Sequence, residues 1–442
     1  MNETLLNKLL HKYENPGPRY TSYPIYPAWT GINENSWFES LKNSLKENST
    51  LSLYIHIPFC RTLCAFCGCT KMITKNYSLA DEFIKTLHEE FNFYENFIPE
   101  NTKLLEIHLG GGSPSWLKPE ELKLLLSPIL NSKKLIIDLE NFDLSIELDP
   151  RTTSNEHCEK LNQIGFNRVS LGIQDTNEKV LKSIKREQSL DLVTNVVKKF
   201  KKNGIKLLNM DLIYGLPHQT IETIKQTIQD VINLGPTRIA LYSYAHVPSM
   251  KPAQKILENS GLPSLEEKME LAKVARKILV ENGYIEIGMD HFALQTDQLF
   301  LAFKNKKLHR NFMGYTVQNS KVLLGLGPSS LSDSWESFAQ NEKDYKKWKS
   351  SIQENGNAII HGHVLKENDL KRRKIILNLM CNFESEINLN ELKSYQIEKL
   401  QEQENEGMLK LYSNKIIVSE IGKNFIRNIC MSMDDSICSL KN

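Results

Sequence analysis

The chain has 442 residues, with 55 Lys plus Arg against 53 Asp plus Glu, 40% apolar and 24% charged residues, and a mean hydropathy of −0.38. Such a composition is that of a globular protein and excludes collagen, wholesale disorder and a membrane bundle. No apolar run approaches the roughly 18 residues of a membrane span, and the segment from Met1 to Pro24 lacks the charged-then-apolar order of a secretory signal, so a cytoplasmic location is expected. A net charge of +2 gives no long-range attraction for nucleic acid, and the basic clusters at 198–206, 346–349 and 371–374 read as solvated helix faces.

In chain order, residues 1–35 form an aromatic, proline-rich arm containing Tyr20, Tyr23 and Tyr26. Strands are predicted over 52–57, 105–109, 144–148, 168–174, 207–213 and 238–244, with helices over 79–94, 120–130, 155–164, 190–203 and 221–234. Gly165, Gly204 and Gly235 stop three of these helices. Strand, helix, strand at this spacing demands crossovers and therefore parallel strands.

One face of each strand is apolar, as at Leu53, Ile55 and Ile57. The other carries Tyr54, His56, His108, Ser145, Glu147, Ser170, Gln174, Asn209, Asp211, Tyr242 and Tyr244. A closed eight-stranded barrel fills its centre with branched apolar groups, so this pattern predicts a wider or incomplete barrel around a polar ligand. The alternative, a half-solvated antiparallel sheet, lacks its hairpin turns. From 367 onward helical patterns lead to a hairpin at Gly407–Tyr412 and 415–418, then a helix over 421–429, an order similar to a winged helix. Its near-neutral charge suits a cap on the site better than DNA binding.

The eight cysteines include four within ten residues: Cys60, Cys64, Cys67 and Cys69, in a C-x3-C-x2-C-x-C array directly after the first strand. Cys158, Cys381, Cys430 and Cys438 are scattered. In a large chain a dense cluster reads as metal or redox chemistry, not a disulfide framework. Each crowded thiolate can take a different iron of one cubane; a structural zinc, the alternative, draws ligand pairs from separated segments.

The C-x3-C-x2-C element and the strand series resemble the radical S-adenosylmethionine (SAM) superfamily. The resemblance implies an α/β fold, an incomplete (β/α)6 barrel, with Cys60, Cys64 and Cys67 ligating a 4Fe-4S cluster whose open iron binds SAM. One-electron cleavage of the sulfonium would then yield methionine and a 5′-deoxyadenosyl radical. Further segments, PGPRYTSYP from Pro16, the CGC extension, HLGGGSP, IELDPR, RVSLGIQD, MDLIYGLPHQT, SYAHVP, GMDHFA, LHRNFMGYT, LLGLGPSS, LMCNF and IRNICM, are similar to the oxygen-independent coproporphyrinogen III oxidase family across nearly the whole chain.

That family implies oxidative decarboxylation of the ring A and B propionates of coproporphyrinogen III to the vinyl groups of protoporphyrinogen IX, in haem biosynthesis. It implies two SAM molecules, the first at Tyr54, Gly111 and Glu147, the second at Phe66, Gly112, Ser113, Gln174, Arg186, Asp211, Ala245 and Leu331, with no catalytic residue beyond these sites. An electron donor such as flavodoxin or ferredoxin, an unidentified acceptor, a monomeric working form, and division into an arm (1–35), a catalytic barrel with its extension (36–366) and a mainly helical, winged-helix-like cap (367–442) complete the expectation. The related haem-chaperone branch generally lacks the CGC extension and the arm, both present here. Ser113 and Leu331 stand where Thr and Ile are frequent, and Ala65 lacks a commonly found aromatic ring. A zinc-dependent nucleic-acid-binding module is the alternative of another class.

Overall fold

Alternating apolar residues and glycine-ended helices build the core. In the computed structural model, which describes residues 3–13, 17–47 and 49–439, the principal strands are β1 (Thr50–Ile57), β2 (Thr102–Gly111), β3 (Asp143–Leu148), β4 (Arg168–Gln174), β5 (Leu207–Tyr214) and β6 (Arg238–Ser243). They pair in that order, each pair parallel. Helices Leu79–Glu95, Pro119–Leu130, Asn155–Ile164, Leu190–Lys202 and Ile221–Leu234 are the crossovers, and Gly165 and Gly235 take the left-handed conformation at two helix ends. The predicted elements differ from these only at their ends.

The apolar faces, including Leu53, Ile55, Ile57, Ile107, Leu109, Leu171 and Met210, pack under the helices in one continuous core. A fully buried Leu or Ile there contributes about 1.5–3 kcal/mol. A shift of one residue would turn the whole set to the wrong side, and the observed register keeps the polar set together. Tyr54 lies opposite His108, His108 opposite Ser145, Glu147 opposite Ser170, and Ser170 opposite Asn209. At the start of the strands, Arg168 Nε donates to Asp143 at 3.2 Å and Arg238 Nε to Asp297 at 2.7 Å, closing that end with paired charges.

The ring of strands does not close. The other neighbour of β1 is strand Val322–Leu326, also parallel, followed by antiparallel strands Leu331–Asp333, Ser337–Asn341 and Ile359–Val364. Beyond β6 lie antiparallel His291–Leu294 and Tyr284–Gly288, giving a 13-stranded sheet. The incomplete barrel matches expectation; an extension within 36–366 was expected too, but none of its strands was predicted. Val322–Leu326 and Ser337–Asn341 are buried at every residue, so they carry no alternation to read.

The arm joins a second core with the carboxyl-terminal segment: Leu9, Tyr20 and Tyr23 pack with Leu379, Met380, Ile429 and Met433. Pro16, first residue of the arm motif, lies outside the described residues. Tyr20 Oη donates to Asp434 at 2.9 Å, Trp29 stacks on Phe338 with centroids 5.1 Å apart, and Gly31 N donates to Gly362 O at 3.0 Å. Helix Glu367–Asn382 is tied to the sheet extension by Arg373, which pairs with Asp333, donates to Trp335 O at 2.6 Å and lies over the Trp335 ring.

After that helix, strands Glu384–Glu386, Lys415–Val418 and Leu409–Leu411 form a small antiparallel sheet in that order. The hairpin is as predicted; the third strand is new. The helix predicted over 421–429 is instead a 3-10 turn, Gly422–Phe425, followed by α-helix Ile426–Ser432. Gly422 sits so close to the Met408 carbonyl that no side chain fits, and glycine favours an α-helix poorly. Of the scattered cysteines, Cys158, Cys381 and Cys430 are buried, and the Cys438 side chain lies outside the description.

Candidate active site

The cysteine loop leaves the carboxyl end of β1 and is tied down along its length. Strand Phe59–Cys60 pairs with Met72–Ile73, Thr74 N donates to Cys60 O at 2.9 Å, and Ala65 N donates to Ile184 O at 2.9 Å. Ala65 is buried among Val180, Leu181, Ile184 and Leu216, with Phe66 packed alongside. The ring that Ala65 lacks is replaced by close packing of the loop on its neighbours.

Cys64 is buried, Cys60 and Cys67 are half-buried and Cys69 is open to solvent. Two guanidinium groups reach Cys64 Sγ, Arg151 Nη2 at 3.2 Å and Arg186 Nη1 at 3.6 Å, and Asp149 holds both, at 2.6 and 3.3 Å. Burial, with the neighbouring Cys67 and Cys64 adding to it, pushes the Cys60 thiol up to about 12. A hydrogen bond from Cys69 and the charge of Lys71, acting against burial, hold Cys67 down at about 5.

The polar strand faces meet inside the barrel. Glu147 keeps 46% of its side-chain exposure although it lies deep in the protein, so it faces open interior space. His108 Nε2 donates to its Oε1 at 3.2 Å and Gly111 N to its Oε2 at 3.3 Å. Burial works against the anion, but these donors, His108 foremost, hold Glu147 below the ordinary carboxylate range. Tyr54 Oη lies 3.1 Å from His56 Nδ1, and His56 Nε2 lies 2.9 Å from Thr70 O. Asp211 accepts from Asn209 at 2.9 Å and Ser170 at 3.2 Å; burial and the nearby Glu147 charge push it up to about 7.

The glycine run after β2 approaches other groups closely. Gly111 has φ +110, and a Cβ there would meet the His56 ring at 2.6 Å. A side chain on Gly112 would meet Phe59 O at 2.7 Å, and Ser113 Oγ lies 3.0 Å from Ser115 Oγ. Gln174 ends β4 with φ +68. Arg186 is not the exposed helix arginine that its sequence context also allows: it is buried and donates to Gly172 O, with its Nε lacking a partner among the described residues. Ala245 O accepts from Gln254 Nε2 at 3.2 Å, as does Phe66 O.

Leu331 stands apart, in the strand next to Val322–Leu326 and packed with Trp29 and Phe338. Arg151, Asp149 and His108 belong to the site but were not singled out as site residues. IELDPR contained the first two, and their pairing across one residue of a loop has no periodic signal.

The three thiols on one loop, with guanidinium donors beside Cys64 and the buried free Nε of Arg186, fit a ligated cluster and a carboxylate-bearing cofactor. Among the described residues no three His, Cys, Asp or Glu side chains gather around one point as a single metal ion would need; a cluster takes one thiolate per iron.

Residues 54–231 match the model of the radical SAM superfamily. The chain is 35% identical to an oxygen-independent coproporphyrinogen III oxidase of Salmonella typhimurium over 435 residues, 96% of this chain and 94% of that one. It is 36% identical to a protein so named in Synechocystis over 444 residues, 97% of this chain and 94% of the relative. The structure of coproporphyrinogen III oxidase from Escherichia coli, described as a radical SAM enzyme, superposes with a TM-score of 0.91 at 33% identity, covering 97% of this chain and 98% of that chain. With likeness at this level running through arm, barrel and cap alike, the chain belongs to the oxygen-independent coproporphyrinogen III oxidase family of the radical SAM superfamily.

Proposed function

We propose that the chain converts coproporphyrinogen III to protoporphyrinogen IX without oxygen, by oxidative decarboxylation of the ring A and B propionates. The observation that carries this reading is the superposition of 97% of the chain, not the barrel alone, on the Escherichia coli enzyme. The cofactors are a 4Fe-4S cluster and SAM, and two SAM molecules are part of the proposal. Bound together, cluster and SAM supply a carbon radical able to take a hydrogen atom from the propionate carbon attached to the ring.

The chain's own residues bind and orient. Cys60, Cys64 and Cys67 are the cluster ligands in this reading. Glu147, kept anionic by His108, suits the ammonium of a first SAM beside Tyr54 and Gly111. The free Nε of buried Arg186 suits the carboxylate of a second, with Phe66, Gly112, Ser113, Gln174, Ala245 and Leu331 around it. Asp211, titrating at about 7, can both donate to and accept from a ribose hydroxyl. The paired charges below the barrel and the packed arm above limit water in the site.

The reading includes a donor such as flavodoxin or ferredoxin, a separate electron acceptor, a monomeric form, a cytoplasmic location and the division at 35/36 and 366/367. No helix among the described residues is long and apolar enough to cross a membrane. Anaerobic incubation with SAM, a reductant, coproporphyrinogen III and cell extract should give deoxyadenosine and protoporphyrinogen together, and Cys64→Ala should abolish both. Deoxyadenosine without protoporphyrinogen would overturn the substrate assignment and leave the radical chemistry standing.

A further inference from the structure

Three arginines from three parts of the chain lie near one another at the mouth of the barrel, one of them paired with Asp290. Arg19 comes from the arm, Arg310 from strand His309–Asn311, and Arg427 from helix Ile426–Ser432. Arg19 Nη2 lies 2.6 Å from Asp290 Oδ2 and its side chain is 44% exposed. Arg310 is 2% exposed; its Nε and Nη2 donate to Arg19 O at 3.2 and 3.0 Å, its guanidinium lies 4.4 Å from the Tyr315 ring centroid, and its Nη1 has no hydrogen-bond partner among the described residues. Half-buried Arg427 is close enough to feel the charges of Asp290, Arg19 and Arg310, and among the described residues its side chain makes no ion pair.

Among the described residues Arg19 alone of the three has an ion-pair partner, Asp290. The other charges nearby are occupied: Arg276 pairs with Glu286 and donates to Met289 O, and Asp434 accepts from Tyr20 and Ser436. His291, which also packs here, is kept neutral by burial. Partly buried cations without counter-ions are costly unless a ligand supplies the anion.

The cluster is continuous with the cofactor site. The Arg19 guanidinium lies 5.4 Å from the ring centroid of Tyr242, an inward residue of β6. Tyr242 also senses the charges of Asp211 and Glu147. A ligand held by the arginines would extend over Tyr242 toward the cysteine loop.

Resting on the function proposed above, we infer that Arg19, Arg310 and Arg427 bind the two propionate carboxylates of the tetrapyrrole that are not removed. The surplus of two positive charges matches two carboxylates, and Arg presents the planar fork that carboxylates take. A carboxylate about to leave as carbon dioxide would be a poor occupant, because guanidinium pairing stabilises the charge that decarboxylation destroys. Held by the persistent carboxylates, the rings that react point toward the cofactors through both turnovers.

The test is anaerobic binding of coproporphyrin III, with four propionates, and of protoporphyrin IX, with two, to the cluster-loaded protein, read by porphyrin fluorescence. Arg427→Gln should weaken both by the same factor, about tenfold for one lost charge-assisted contact. It should raise KM for coproporphyrinogen III by a similar factor with little change in kcat, and leave SAM affinity intact. Arg427→Lys should recover part of the loss, and Arg19→Gln should repeat the pattern.

Unchanged porphyrin binding in Arg427→Gln, while the wild type turns over coproporphyrinogen III, would overturn the arginine assignment alone. So would a loss confined to coproporphyrin III, or a parallel loss of SAM affinity. A wild-type protein that neither binds the porphyrins nor turns over the porphyrinogen would overturn the parent function, and this inference with it.

Discussion

His108 of β2 and Glu147 of the neighbouring β3, diagonal neighbours with Ser145 the residue opposite His108, form a hydrogen-bonded pair at 3.2 Å inside the barrel. The pair is mutual: against burial, Glu147 raises the His108 pKa and His108 lowers that of Glu147. Ser145 Oγ, 2.8 Å from His108 Nδ1, fixes the ring from behind.

The first prediction concerns this pair. Glu147 is ionised above its depressed pKa, so its hold on a cation is kept at neutral pH and lost as pH falls through that value. His108→Ala removes the main donor and should raise the pKa. SAM affinity measured by calorimetry across pH should then fail at a higher pH in the variant than in the wild type. An unchanged acid limb would refute the coupling.

Gly111→Ala tests the close approach after β2. At φ +110 a side chain is strained, and its Cβ would meet the His56 ring at 2.6 Å. The strain should cost about 1–3 kcal/mol, seen as a lower denaturation midpoint. Because His56 is tied to Tyr54 at 3.1 Å, SAM affinity should fall as well, whereas Gly31→Ala, strained at φ +99 too but with a Cβ that meets no non-adjacent described residue within 4 Å, should leave SAM affinity intact.

Much of the barrel was legible because period-two strands between amphipathic helices leave a strong pattern, and the register followed from it. Tyr54, Glu147 and Asp211 were readable as polar residues on strands otherwise apolar. The strands of the sheet extension were not, since Val322–Leu326 is apolar throughout and its pairing with β1 spans hundreds of residues. Nor was Arg151 beside Cys64: a loop side chain 87 positions away is brought there only by the fold. The arginine cluster is hidden for the same reason, because its members come from the arm, the barrel and the cap.

Glu90 gives a pH-dependent stability. It is fully buried, accepting from Gly327 N at 2.7 Å and from Asn341 Nδ2. Burial raises its pKa from the ordinary 4.5 to about 7 despite these donors. The folded protein therefore holds a proton that the unfolded chain releases, and this contribution is present below about 4.5 and lost as pH rises through about 7. Thermal midpoints should show Glu90→Gln gaining on the wild type between about pH 5 and 8; a constant difference would exclude the linkage.

Arg373→Ala should be among the most damaging surface-distant changes. Asp333 and Arg373 are both buried, and truncation leaves the Asp333 carboxylate without its cation. Breaking one side of a buried pair costs about 3–5 kcal/mol, measurable in urea. The double variant Arg373→Leu with Asp333→Leu should recover a large part of that loss, since no charge is left stranded.

The hydrogen bond from Gly31 to Gly362 O has a consequence for how chains behave in a crowd. Strand Ile359–Val364 is the outermost of the large sheet, and Ile360 and Val364 are exposed. A bare apolar edge of this kind is a template for adding a strand from another molecule. The arm occupies part of that edge with the chain's own backbone, so the segment that brings Arg19 to the barrel mouth also guards the enzyme against self-association.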